Sequence, residues 1–144
     1  MTLGKLTGLV VAGSDTLMLT WDDGHAAAVA LGPLIGGRKA LKPLTRADMF
    51  SQACLADDGW SVEWPCGIDF GAPQLRRWAN EQAGDSMPAA AFRSWMESHD
   101  FTLDRAAEAL GLSRRTIAYY LSGEQPIPKT VMLATEGLDR RLAA

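Results

Sequence analysis

The sequence predicts an α+β fold: a small antiparallel β-sheet with a helix over residues 1–84, followed by an all-helical bundle over residues 85–144. Three observations predict it. Apolar residues alternate with polar ones up to about residue 70, and the apolar spacing lengthens to that of a helix near Pro73. Asp-Gly pairs punctuate the alternating part, whereas capping residues and glycines punctuate the rest.

The first strand is expected over Leu6 to Val11. In "TLMLTW", Leu17, Leu19 and Trp21 alternate onto one face, and "HAAAVAL" runs on to Leu31. Asp23-Gly24 between these runs favours a tight hairpin, because glycine accepts a positive φ without penalty. Pro33, Gly36, Gly37 and Pro43 mark an irregular connection, after which Thr45 is expected to cap a short helical turn containing Asp48. Strands at Phe50 to Leu55 and Trp60 to Trp64 flank "ADDG", a second hairpin signal, with Trp60, Val62 and Trp64 on one face. A helix opens at Pro73, turns Leu75, Trp78 and Ala79 to one side, and ends near Gly84. "AGDSMP" then reads as a linker.

Beyond residue 87 the period is helical throughout. Phe92, Trp95, Met96 and His99 form a continuous inward stripe. Thr102 caps the next helix, with Asp104 favourably placed in its first turn, and Gly111 ends it. Ser113 caps the following helix, which buries Ile117, Tyr120 and Leu121 and stops at Gly123. Pro128 opens a last helix with Val131, Ala134, Leu138 and Leu142 on one face.

At 144 residues the chain suits one ordinary domain or two small ones. No apolar stretch is long enough for a membrane span and no cleavable leader is visible, so a soluble cytoplasmic protein is expected. Cys54 and Cys66 lack a CxxC spacing and are read as packing residues; His25 and His99 lie far apart. No metal and no cofactor are expected. Asp22-Asp23 and Asp57-Asp58 sit beside glycine at hairpin tips, where turn chemistry explains them, and neither a nucleophile triad nor a Gly-rich phosphate loop is present, so no catalysis is expected. The net charge of −3 argues against a strongly basic nucleic-acid binder. Residues 1–84 carry 7 basic and 9 acidic side chains and residues 85–144 carry 7 and 8, so any DNA contact must rest on local charge placement.

Local placement is what "AAEALGLSRRTIAYYLSG" offers at 106–123. Two helices crossing steeply over a short turn need a small residue at the close approach and a left-handed turn residue, and Ala107 and Gly111 supply them. Ala106, Leu110, Leu112, Ile117 and Tyr120 would close the core between the helices. This spacing, with "YLSGEQPIPKTV" after it, resembles the lambda-repressor-like, Xre-type helix-turn-helix regulators over roughly residues 88–143. The resemblance implies a four- or five-helix DNA-binding domain. Where that family often has a glutamine-rich or mixed polar helix start, this chain has Arg114-Arg115-Thr116. Carried over, it implies DNA contacts from Thr102, Ser113, Arg114, Arg115, Thr116, Tyr119 and Ser122. The planar arginine fork suits the O6 and N7 edge of guanine, Tyr119 suits a thymine methyl or a phosphate, and Ser122 and Thr102 suit phosphates. The plainer readings are solvated arginines and a Tyr119 that serves a core or dimer contact. Two cations at the unfavourable end of a helix dipole weigh towards function.

The first half, with Trp21, Asp23, Gly24, Phe50, Trp64, Gly67, Asp69 and Leu75, resembles the family catalogued as domain of unknown function 2442 over about residues 5–80. That resemblance implies a small α+β domain of bacterial type with a link to toxin–antitoxin gene pairs. Cys66 stands where an acidic or polar residue is more usual. Asp69 is expected to accept backbone N–H bonds in the sheet-to-helix turn. Together the two resemblances imply a transcription regulator acting on double-stranded DNA as a homodimer, with a toxin as a further partner; the apolar tryptophans of the first half, Trp60 or Trp78 above all, are the candidates for the dimer surface. A protein-binding module without DNA affinity is the competing expectation.

Overall fold

The computed structural model describes residues 3–143. It is a mixed α and β structure with small antiparallel sheets and several helices, and it divides into two compact units, Met1–Gln82 and Ala83–Ala144.

In the first unit, β1 (Leu6–Ala12), β2 (Thr16–Trp21) and β3 (Ala26–Ala30) form an antiparallel meander. Leu17 pairs with both Val11 and Val29, and Leu17, Leu19 and Trp21 all point into the core. Gly24 closes the hairpin with φ +87°, and the carboxylates beside it are spent on the turn and its surroundings. Asp22 accepts from the N–H groups of Leu3 and Gly4, and Asp23 accepts from His25 N–H and pairs with Arg76 at 3.0 Å. The region after β3 is more regular than its prolines and glycines suggested. It holds α1 (Gly32–Ile35), a 3-10 segment at Lys39–Thr45 and α2 (Ala47–Phe50), which carry Ile35, Leu44 and Phe50 into the core. Thr45 does not cap α2; its hydroxyl donates back to Lys42 O, and Asp48 pairs with Arg46 instead.

The second sheet is β4 (Cys54–Leu55), β5 (Ser61–Glu63) and β6 (Asp69–Gly71). The expected strand from Phe50 is therefore cut to two residues, because Phe50 belongs to α2. Both cysteines are exposed rather than packed: Cys54 lies opposite exposed Glu63 on the outer face of its strand, and Cys66 lies in a turn. Val62 and Trp64 are buried as expected, whereas Trp60 is 37% exposed. Among the described residues the Asp69 side chain accepts no hydrogen bond, so the turn role expected of it is not made. Gly59 approaches β1 closely: Leu6 N–H donates to its carbonyl at 2.7 Å. α3 (Ala72–Gln82) covers the core with Ala72, Leu75 and Ala79, and the Gln82 side chain makes two 2.8 Å hydrogen bonds to the backbone of Ala30, satisfying an edge of β3. The indole N–H groups of Trp21 and Trp64 donate to Ala72 O and Phe50 O, so each ring is buried with its polar atom paired. Trp78 packs edge-on against Phe70 at 5.2 Å, at the margin of this core rather than as a free apolar surface.

In the second unit the expected linker is a strand. β7 (Ser86–Met87) precedes α4 (Ala89–Ser98), α5 (Leu103–Leu110) and α6 (Arg114–Ser122), and it pairs with β8 (Ile127–Pro128) just before α7 (Lys129–Ala143). Phe92, Trp95, Met96, Ala106, Ala107, Ile117, Tyr120, Ile127 and Val131 form its core. On α7 the buried partner of Val131 is Thr135, not Ala134, and Leu142 is exposed. Thr135 tolerates burial because its hydroxyl donates to Met132 O at 2.6 Å. His99 caps α4 and meets Asp139 of α7 at 2.6 Å, while Trp95 Nε1 donates to the same carboxylate at 2.8 Å. Among the described residues no helix is long and apolar enough to cross a membrane.

Candidate nucleic-acid interface

The junction of α5 and α6 is built from local chemistry. Thr102 Oγ1 accepts Arg105 N–H at 3.2 Å and starts α5. Gly111 ends it in the left-handed region at φ 71°, which lets Leu112 N–H reach back to Ala107 O at 2.9 Å. Ser113 then restarts the chain in extended backbone: its Oγ accepts Thr116 N–H at 3.1 Å and lies 2.9 Å from Thr116 Oγ1. Alanines at 106 and 107 are buried at the crossing, where a larger side chain would hold the helices apart.

α6 has two distinct sides. Ile117 and Tyr120 are buried, and Phe92 meets Tyr120 edge-on at 5.7 Å. Burial also pushes the Tyr120 phenol above its usual range. On the other side Ser113, Arg114, Arg115 and Ser122 are exposed and Thr116, Ala118 and Tyr119 half-buried. Six of the seven residues singled out from the sequence thus belong to α6 and its cap. Thr102 stands apart, at the start of α5.

The two arginines differ in their surroundings. Arg115 Nε donates to Tyr119 Oη at 2.7 Å while its guanidinium lies 5.3 Å from the Tyr119 ring centroid. Arg114 Nη1 is 3.6 Å from Asp104 Oδ2, both side chains being largely exposed, so this pair is weak and screened by salt. Neither arginine is packed beneath a neighbouring segment. Ser122 is committed locally: its hydroxyl donates to Tyr119 O at 3.1 Å and accepts Glu124 N–H at 3.3 Å.

Two contacts escaped the sequence reading. The four-residue step from Arg115 to Tyr119 was a usable signal for their pairing. The sequence sets Asp104 only against the dipole of its own helix; its approach to Arg114 depends on the crossing of α5 and α6, which no local pattern encodes.

Comparison with known proteins gives two matches. The family model described as protein of unknown function (DUF2442) matches residues 9–81. A crystal structure of a protein from Nitrosomonas europaea ATCC 19718, provisionally named a DNA-binding protein, is similar at 34% identity and a TM-score of 0.55, over 94% of this chain and 86% of that one. No curated protein matches the chain.

Proposed function

The chain belongs to the DUF2442 family of proteins of unknown function, and from that premise we propose that it is a DNA-binding transcription regulator whose second unit is a lambda-repressor-like helix-turn-helix domain. The observation that carries the reading is a serine-capped helix, α6, with one face buried through Ile117 and Tyr120 and the other presenting two exposed arginines at its start. Similarity to the provisionally named DNA-binding protein supports it, because that likeness extends over nearly the whole chain and not only over the matched family segment.

In this reading α6 lies in the major groove. Tyr119 holds Arg115 by its Nε, which leaves both terminal nitrogens free to form a fork on guanine O6 and N7, with part of the side-chain ordering already made in the free protein. Arg114 exchanges an exposed carboxylate for a phosphate or base edge. Ser113, Thr116 and Thr102 supply hydroxyls to the backbone at the helix starts. A homodimer presents two such helices to half-sites one helical turn apart.

The test is fluorescence anisotropy with DNA from upstream of the protein's own gene, at fixed salt, for the parent and for Arg114→Ala and Arg115→Ala. Each substitution is expected to weaken binding by about 10- to 100-fold, as for loss of a base-reading arginine, with an unchanged melting midpoint. Unchanged affinity in both variants sinks the helix assignment. The acidic balance of the chain favours the competing protein-binding module, and a parent protein without DNA affinity at low salt leaves that reading standing.

A further inference from the structure

The cations of the first unit are not spread evenly. Residues 24–47 contain Arg38, Lys39, Lys42 and Arg46 and no acidic residue, whereas the remainder of the unit carries 3 basic and 9 acidic side chains. Arg46 is paired with Asp48 at 3.0 Å. Among the described residues Arg38, Lys39 and Lys42 have no carboxylate partner, and all three are exposed.

Backbone geometry gathers them. In the 3-10 segment Lys39–Thr45, side chains three apart eclipse one another. Leu41 and Leu44 therefore face inward together, Leu44 being fully buried, and Lys39 and Lys42 share another side of the segment. The rise of a 3-10 turn sets the two lysines about 6 Å apart along its axis, a spacing of the same order as the charge repeat of duplex DNA, in which each strand carries one phosphate per about 3.4 Å of helix axis. Arg38 precedes them in extended backbone, and Gly36, Gly37, Arg38, Lys39, Lys42 and Thr45 border an open concavity of about 340 Å³. The buried Leu44 thus anchors the backbone of a segment that carries Lys39 and Lys42 directly after Arg38, three exposed cations in a protein of net charge −3.

We infer that this surface is a second, sequence-independent contact for the phosphodiester backbone of duplex DNA. The inference takes its partner class from the DNA-binding reading of the second unit. An open surface carrying long exposed side chains fits a continuous backbone better than an isolated small anion, which needs converging buried donors.

The experiment measures affinity for a short mixed-sequence duplex across a salt series, with the full chain. The triple variant Arg38→Gln/Lys39→Gln/Lys42→Gln is expected to lower the slope of log affinity against log salt by about 2 to 3, at roughly 0.9 per lost phosphate contact. Lys39→Arg/Lys42→Arg, which keeps the charge, retains the parent slope. Because all these side chains are exposed, the melting midpoint stays unchanged. A parent slope in the triple variant overturns the inference; if Arg114→Ala and Arg115→Ala still weaken binding, the α6 reading survives that failure. Conversely, a reduced slope in the triple variant with no effect of the α6 arginines supports this surface and removes the helix assignment. A parent protein that binds no duplex at low salt overturns both.

Discussion

Replacing Gly59 by alanine tests how the two sheets of the first unit are joined. Gly59 has φ +78°, and a Cβ there would stand 2.7 Å from Leu6 O, a backbone atom that cannot swing aside. Leu6 N–H is simultaneously bound to Gly59 O at 2.7 Å, so relieving the overlap means giving up that bond and shifting a leucine only 3% exposed. The left-handed backbone costs a non-glycine residue about 1 kcal/mol, and the lost bond and displaced leucine add about 1 to 3 kcal/mol, for a total of roughly 2 to 4 kcal/mol. Gly24→Ala is the matched control: φ is +87°, but the added Cβ meets no atom within 4 Å, leaving the backbone cost of about 1 kcal/mol alone. Tryptophan emission during heating or urea unfolding reads the difference, since Trp21, Trp60, Trp64 and Trp78 all lie in this unit. Gly59→Ala is expected to melt at least about 4 °C below Gly24→Ala, taking about 4 to 8 °C per kcal/mol for a domain of this size. Equal losses in the two variants refute the assignment of the close Leu6 contact as what requires glycine.

Ser113→Ala removes the cap of α6 and is expected to cost about 0.5 to 2 kcal/mol, read as a lower melting midpoint of the second unit, while Ser113→Asp retains most of the stability. The Asp139 carboxylate is held below its usual range first by the hydrogen bond from His99 and then by that from Trp95. A depressed carboxylate contributes stability that is present above the unfolded value of about 3.9 and lost as pH falls through the lower folded value. The parent should therefore lose thermal stability more steeply than Asp139→Asn on acidification below about pH 4, and parallel curves for the two proteins would argue that the bond carries no linkage.

Short-range chemistry was the legible part of the molecule. Asp23-Gly24 announces its hairpin, and Thr102, Gly111 and Ser113 announce the ends of α5 and α6, because each acts on backbone groups within three or four residues of itself. The buried face of α6 followed from the spacing of Ile117 and Tyr120. What stayed hidden depends on contacts between distant residues or on very short elements. α1 is four residues long, too short for an apolar period, and β7 and β8 are two residues each, paired across some forty positions. On α7, hydrophobicity pointed to Ala134, whereas the helical angle from Val131 points to Thr135; a hydroxyl that can bond its own helix made the angle prevail. At the candidate interface the arginines and their cap were visible, and the carboxylate set against Arg114 was not.

The small ladder between Ser86–Met87 and Ile127–Pro128 changes where this molecule should be cut. Met87 stands opposite Ile127, whose side chain is almost completely enclosed, so the segment that looks like a spacer works as a clasp around everything from α4 to α6. Fragments made to isolate the carboxyl-terminal unit must begin upstream of Asp85, which also approaches Lys129 to 4.0 Å, or they start life with that clasp undone.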